Sequence, residues 1–406
     1  MSPQWYNSFM PRTRILVLIS TFLILTVVGG FAIMFARGYR IDTGDDTLSL
    51  SPRGLLVANS DPNGAQVYVN GELRTATNNT ISLRPDEYEI EIKKQGFLTW
   101  RKSLVIEQEE VTQVDAFLLP AAPSLTALTF SGAQSPTVTN DFTKVAYIVT
   151  PPIEESPDPE DEERVGLWVF ESVNLPLGFN RDPRQITDGN LTGAMLEWSP
   201  TGRNILISLN EQHYLLDVTT FTATTDRVLI TETQLIQLKS DWAEEEEKRL
   251  GSLLGKLPDV LTNFFMANTA DIRFAPDETK MLYRATSPAT LPENLIPQLP
   301  GASTQVQNRT LETDIWYVFD IKEDKNFKVA SGEERVYWIA NSLNLVKPLE
   351  TGIQVLDYDG TNVQTVYSGS YIFPNAFPST SSGRIIILAN FGAADAAPNL
   401  YWLSLR

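Results

Sequence analysis

The chain has 406 residues, a length that suits two or three domains, and its 42% hydrophobic and 20% charged residues are too apolar a mixture for general disorder. It holds no cysteine, which excludes disulfides, thiolate metal sites and a cysteine nucleophile, and its one histidine, His213, excludes a multi-histidine metal site. The net charge of −18 is unevenly placed: residues 1–40 carry Arg12, Arg14, Arg37 and Arg40 and no acid, leaving 28 basic residues against 50 acidic ones beyond them. A body that acidic repels phosphate backbones, so no nucleic-acid partner is expected.

Ile15 to Ala36 is 22 residues without a charge. As a helix it is about 33 Å long, enough to cross a hydrocarbon core of about 30 Å. It exceeds the apolar core of a cleavable signal, so residues 15–36 are expected to be an uncleaved membrane anchor behind a cytoplasmic arm, residues 1–14. A signal cleaved near Gly30-Phe31-Ala32 is the alternative. No second stretch approaches this length. Two arginines flank each end, so the positive-inside count is a tie. The large cysteine-free body behind a short arm points to a single-pass membrane protein with a cytoplasmic N-terminus and most of the chain outside. Sequons at Asn78, Asn190 and Asn308 occur as often as chance supplies them.

Residues 54–119 read as a compact all-β unit. Ala65-Gln66-Val67-Tyr68-Val69 alternates at the period of a half-buried strand, and Asn70-Gly71 follows as a type I′ hairpin signal. Tyr88 to Ile92 alternates again, Gln95-Gly96-Phe97 turns the chain, and strands follow from Trp100 to Ile106 and Val111 to Leu119. The run from Ser60 to Gly71, with Pro62-Asn63-Gly64-Ala65 at its centre, resembles the signature of PEGA domains, and Leu83 to Ile90 with Gly96-Phe97 resembles that family's second half. Two departures are Thr75-Ala76-Thr77-Asn78 after the hairpin and Glu87 before Tyr88. The resemblance implies a small β-sandwich of surface and envelope proteins, without catalytic residues.

Residues 121–406 contain weak repeats. Leu196 to Ile207 recurs as Ile272 to Tyr283, more loosely as Pro136 to Ile148, and again from Ser381 to Leu388. Each version is a strand, a tight turn of Pro, Asp, Gly or Ser, and an apolar strand, followed by a third strand such as Ile315 to Asp320 or Ile353 to Asp357. This spacing predicts propeller blades. Their aromatic-Ser-Pro-x-Gly pattern is similar to TolB-like and WD-type β-propellers. Five blades are visible, near 136–189, 194–226, 270–330, 335–369 and 372–406. A sixth is expected, drawing on Ser124 to Phe130, and an irregular β-sandwich is the fallback. The fold class is therefore all-β: one transmembrane helix, a PEGA-like sandwich and a propeller-like domain.

Three insertions interrupt the repeats. Pro151 to Arg164 is Pro-rich and acidic, Leu291 to Thr310 is Pro-rich, and Asp241 to Phe265 is helical. In the helical segment, opened by Glu244 to Glu247, Trp242, Leu250, Leu253, Leu254, Leu257, Leu261, Phe264 and Phe265 approximate a 3.6-residue stripe, and Pro258 splits it into two helices. Packed on its own domain the stripe is core; left exposed it is a docking or lateral-assembly surface.

No Gly-x-Ser-x-Gly elbow, Walker loop or dinucleotide fingerprint occurs. His213 reads as a half-exposed strand residue without a visible nucleophile or orienting acid. The acid runs Asp42/Asp45/Asp46 and Glu154 to Glu163 lack calcium-loop spacing, and Asp357-Tyr358-Asp359-Gly360 falls where a blade hairpin needs its turn. The sequence therefore supplies no catalytic, metal or cofactor residues. It supports a non-enzymatic binding or scaffold protein of the cell envelope, in which a PEGA-like spacer presents a propeller platform to a protein or glycan. The alternative is an extracytoplasmic hydrolase or lyase using carboxylates in the central channel, which acids converging on that channel would favour and an aromatic face would disfavour.

Overall fold

The computed structural model describes residues 12–36, 40–44, 47–152, 159–172, 182–297, 303–381, 383–391 and 397–406. Helix α1 (Arg12–Ala36) contains a span, Ile15–Met34, with mean hydropathy 2.5 and no part buried against the rest of the chain. Its polar side chains suit a lipid setting: Ser20 and Thr21 donate to the carbonyl of Val17 at 2.9 and 2.8 Å, and Thr26 donates to that of Phe22 at 2.8 Å. Among the described residues α1 is the one helix long and apolar enough to cross a membrane. A hairpin, Arg40–Gly44 with Thr47–Ser51, follows it.

Beyond the helix the chain is all-β in character and divides into two compact units. The first takes the chain to Ile92 together with Ser103–Ala116 and residues 303–304; the second takes Lys93–Lys102 and nearly all the remainder. The first unit is built on two sheets. One orders Asn79–Leu83, Gly54–Asp61 and Val111–Phe117; the other orders Glu72–Ala76, Gln66–Val69, Asp86–Lys93 and Trp100–Ile106. Alternate residues Leu56, Ala58, Val67, Val69, Leu104 and Ile106 are buried, as the period-two pattern requires. Asn70 and Gly71 have φ of 50° and 78°, the backbone of the anticipated hairpin turn. One sequence departure has a structural use: Thr77 Oγ1 shares a 2.7 Å hydrogen bond with Ser60 Oγ and accepts one from the amide of Ala65 at 3.1 Å.

The second unit is propeller-like, with five four-stranded antiparallel sheets among the described residues. Blade 1 runs from Gln134–Val138 through Lys144–Val149 and Gly166–Glu171 to Arg184–Asp188, and blade 2 from Met195–Trp198 through Asn204–Leu209 and Gln212–Asp217 to Leu229–Ile230. Blade 3 comprises Thr269–Phe274, Lys280–Ala285, Ile315–Asp320 and Lys325–Ser331; blade 4 comprises Tyr337–Trp338, Asn344–Leu349, Gly352–Asp357 and Gln364–Tyr367. Blade 5 has Ala376–Pro378, Arg384–Ala389 and Asn399–Ser404, and its fourth strand is Leu125–Ala127, with Thr126 opposite Trp402. This corrects the expected sixth blade. The segment assigned to it closes the fifth, so the first strand of the ring covers the edge left by the last.

One turn geometry underlies the repeats. The amides of Thr139, Ser199, Ala275, Ile339 and Ser379 each donate to the carbonyl five residues on, at 3.1, 2.9, 2.8, 2.9 and 3.3 Å. In four of these turns the fourth residue is left-handed: Phe142, Gly202, Glu278 and Ser342, with φ of 56°, 62°, 58° and 59°. The small and polar residues that make the repeats visible are those that tolerate this turn.

Blades meet through apolar faces. Ile148, Leu167 and Ile186 of blade 1 pack on Ile205, Ile207 and Leu216 of blade 2. Blade 3 meets blade 4, blade 4 meets blade 5, and blade 5 meets blade 1 in the same way. The other face of blade 3 is covered by helices α3 (Glu232–Leu254) and α4 (Asp259–Asn268), through Leu254, Leu257, Leu261 and Phe265. Lys239 on α3 pairs with Glu197 of blade 2 at 3.2 Å, so the helix pair stands between blades 2 and 3. The short helix α2 (Pro159–Glu163) lies in the loop of blade 1.

The helical insertion begins earlier than its apolar stripe suggests. Thr231 and Gln234 form a capping box that starts α3 nine residues before Asp241, and Glu244 to Glu247 lie inside the helix instead of opening it. Pro258 separates the helices, as anticipated, and it is the N-cap of α4. With Leu254, Leu257 and Leu261 buried, the reading of this stripe as a lateral-assembly surface is overturned.

Candidate functional site

Loops of blades 1 and 2 form a cleft of about 730 Å³ in the second unit. Its walls include Pro151 and Pro152, Glu162 and Glu163, Asp188, and Phe221. The strands of blade 1 deliver the first four residues through the loop after Lys144–Val149, and α2 places the two glutamates; Asp188 ends the last strand of that blade. Phe221, 54% exposed, comes from the turn of blade 2.

A polar scaffold fixes that wall. Asp188 accepts from the amide and hydroxyl of Thr224 at 2.6 and 2.7 Å, and these bonds hold its carboxyl below the usual range. Arg227 donates from Nε to Thr187 Oγ1 at 2.8 Å and from its guanidinium to the carbonyl of Asp188. Gly189 lies between them at φ 84°, where an added Cβ would stand 2.5 Å from Thr224 Oγ1. The backbone conformation and the close approach both require glycine there.

Rings of blades 1, 4 and 5 meet one another. Phe142 meets Tyr337 edge to face at 5.8 Å, and Tyr337 meets Phe377 at 6.2 Å. The guanidinium of Arg273 lies over both Tyr337 and Trp316, at 5.5 and 5.7 Å. The groups gathered at this point are aromatic rings and a cation. The nearby acids Asp141 and Asp277 serve their own turns: Asp141 accepts from Thr139 and Thr143, and Asp277 from Thr279.

His213 is half-buried in blade 2, with Nδ1 2.9 Å from Ser208 Oγ on the neighbouring strand. Of the acid runs, Asp45, Asp46 and residues 154–158 lie outside the described residues. Among the described residues no three His, Asp or Glu side chains gather to hold a metal ion. Asp357-Tyr358-Asp359-Gly360 forms the expected blade turn, with Gly360 N donating to the Asp357 carbonyl at 2.9 Å. Both carboxylates also contact Lys102, more than 250 positions away, a meeting that no local pattern signals. The cleft was equally hidden, because its wall is assembled from three separate loops.

Residues 53–121 match the PEGA domain model. No curated protein matches the chain. Among solved structures it is similar to a putative TolB from Agrobacterium tumefaciens, 12% identical over 66% of this chain and 76% of that one, with a TM-score of 0.22. A TolB from Acinetobacter baumannii is 13% identical over 84% of this chain and 64% of that one, TM-score 0.21. An acylaminoacyl peptidase from Pyrococcus horikoshii is 13% identical over 68% of this chain and 38% of that one, TM-score 0.21.

Proposed function

We propose that the chain is a membrane-anchored binding protein of the cell envelope, held by α1 with its N-terminus in the cytoplasm, whose propeller loops receive a protein or glycan partner. The cleft carries this reading. It is open, mixed polar and apolar, and walled by loops on a rigid sheet scaffold, which is how binding surfaces are usually built. The cluster of Phe142, Tyr337, Phe377 and Arg273 favours recognition over carboxylate chemistry, because a hydrolase needs paired acids. The acidic body disfavours nucleic acid as the partner.

The test uses full-length protein in detergent against fractionated envelope, with mass spectrometry and a glycan readout. A saturable partner retained by the wild type and lost from a Glu162→Lys, Glu163→Lys, Phe221→Ala variant supports the proposal. Turnover of an envelope polymer, or capture unchanged by the triple substitution, overturns it. Orientation has its own test, since the chain has no native thiol. Thr201→Cys in intact cells should react with an impermeant maleimide, while Ser2→Cys should react only after lysis.

A further inference from the structure

Within the second unit, Lys102 is a lysine removed from water. Its side chain is 10% exposed, and Nζ lies 2.6 Å from Asp359 Oδ2 and 3.0 Å from Asp357 Oδ2. The two carboxylates have side-chain exposures of 1% and 9%. One cation between two buried anions leaves a net negative charge in a dry site, a costly arrangement for a group that serves only to pair. The two acids have different surroundings. Asp357 receives Trp100 Nε1 on Oδ2 at 3.1 Å and Asn344 Nδ2 on Oδ1 at 2.9 Å. Asp359 has Oδ1 held by the Thr361 hydroxyl at 2.6 Å and amide at 3.2 Å, which leaves Oδ2 to the lysine. Burial pushes the carboxyl of Asp357 up, the charge of Lys102 pulling the other way and that of Asp359 adding to the rise.

This is a nucleophile, an electrophile and a proton carrier, with two donors on the electrophile's oxygens. We infer that Lys102 and Asp357 become joined by an amide bond inside the folded chain. Asp359 takes a proton from the Lys102 ammonium and passes it to the carboxylate of Asp357, giving an amine beside a neutral acid. The nitrogen attacks Cγ of Asp357 and an Nζ–Cγ bond forms, while Asn344 Nδ2 and Trp100 Nε1 stabilise the charge growing on the oxygens. Asp359 then carries a nitrogen proton to the hydroxyl, the Cγ–O bond breaks, and water leaves. An ammonium and a carboxylate have become an amide and one water, and Asp359 ends as it began. No oxidant or further reactant enters. The reacting groups are already in contact, and well-oriented intramolecular reactions reach effective concentrations of about 10⁵–10⁸ M. Burial contributes too, because it disfavours the ions and not the amide. The product links Lys102 to the turn of blade 4 within the second unit, in a chain that has no disulfide to do so.

The intact mass of the full-length protein decides the matter. The wild type should be one water lighter than its sequence, and digestion should yield a branched peptide joining Lys102 to Asp357. The branched peptide separates this from a cyclic imide, which loses the same mass without a branch. Lys102→Arg and Asp359→Asn should each have their full sequence mass. Should either variant fail to fold, the wild-type digest still decides. Linear peptides at both positions overturn the bond, and a branched peptide in Asp359→Asn overturns the role given to that carboxylate.

Discussion

Blade 1 against blade 2, and blade 3 against the helix pair, solve one problem with different side chains. The buried centre of the first interface is aliphatic (Ala146, Ile148, Leu167, Val169, Ile186, Ile205 and Ile207), with Trp198 and Tyr214 only at its partly buried edge. The second is aromatic: Phe265 lies 5.2 Å from Tyr283 and 5.3 Å from Phe319, and Tyr283 stacks on Tyr317 at 5.8 Å. Two twisted sheets about 10 Å apart interdigitate well with branched aliphatic residues. A helix laid on a sheet leaves a more irregular space, and rings fill it. Their hydroxyls are not stranded there: Tyr283 donates to Asn326 Oδ1 at 2.8 Å, and Tyr317 accepts from the amide of Glu312 at 3.0 Å. What covers the sheet thus shapes the sheet's own sequence.

The largest expected effect tests that difference directly. Phe265→Ala should cost about 3–5 kcal/mol, because a fully buried ring touching three others leaves a cavity the sheet cannot close. Ile205→Val at the sheet–sheet interface should cost only about 0.5–1.5 kcal/mol. Denaturant unfolding of the full chain measures both. Equal losses would mean that the helices rest on blade 3 without being part of its core. A smaller effect asks whether the helix pair is held at its start as well. Thr231→Ala removes the capping bond to Gln234 and should cost about 1 kcal/mol. No loss would place the stability of α3 wholly in its buried stripe.

The same contrast explains what was legible in the sequence. Blade boundaries were, because Trp198-Ser199-Pro200-Thr201-Gly202 and Phe274-Ala275-Pro276-Asp277-Glu278 write one five-residue turn in local chemistry. The PEGA hairpin was, because Asn70-Gly71 states its backbone conformation. The stripe from Leu250 to Phe265 showed the helices, but their first turns rest on a cap, a pattern of two polar residues easily passed over. The closure of blade 5 by Leu125–Ala127, the cleft wall and the Lys102 cluster were not legible. Each joins segments that are distant along the chain, and neither propensity nor periodicity records which distant segments meet.

The smallest effect compares two carboxyl groups whose pKa values are displaced in opposite directions. Asp141 is partly buried, which raises its pKa, but the hydroxyl and amide bonds from Thr139 and Thr143 outweigh that and hold it below the usual range. Asp320 is raised by burial, because Lys280 is 3.7 Å away and offsets only part of the cost. For Asp141 the unfolded chain binds the proton more tightly, so its stabilisation is present above the ordinary carboxylate value of about 4 and is lost as pH falls through the folded value. For Asp320 the folded chain binds it more tightly, so stability declines as pH rises from about 4 through the raised value. Thermal unfolding across this range should therefore show Asp141→Asn flattening the acid-side loss and Asp320→Asn flattening the decline above it. Each shift should fall below the capping loss, since Asp141 is partly solvated and screened and Asp320 is partly compensated. Slopes of the same sign in both variants would show that Lys280 neutralises Asp320 more fully than its distance implies, making the buried pair of blade 3 a stabilising one.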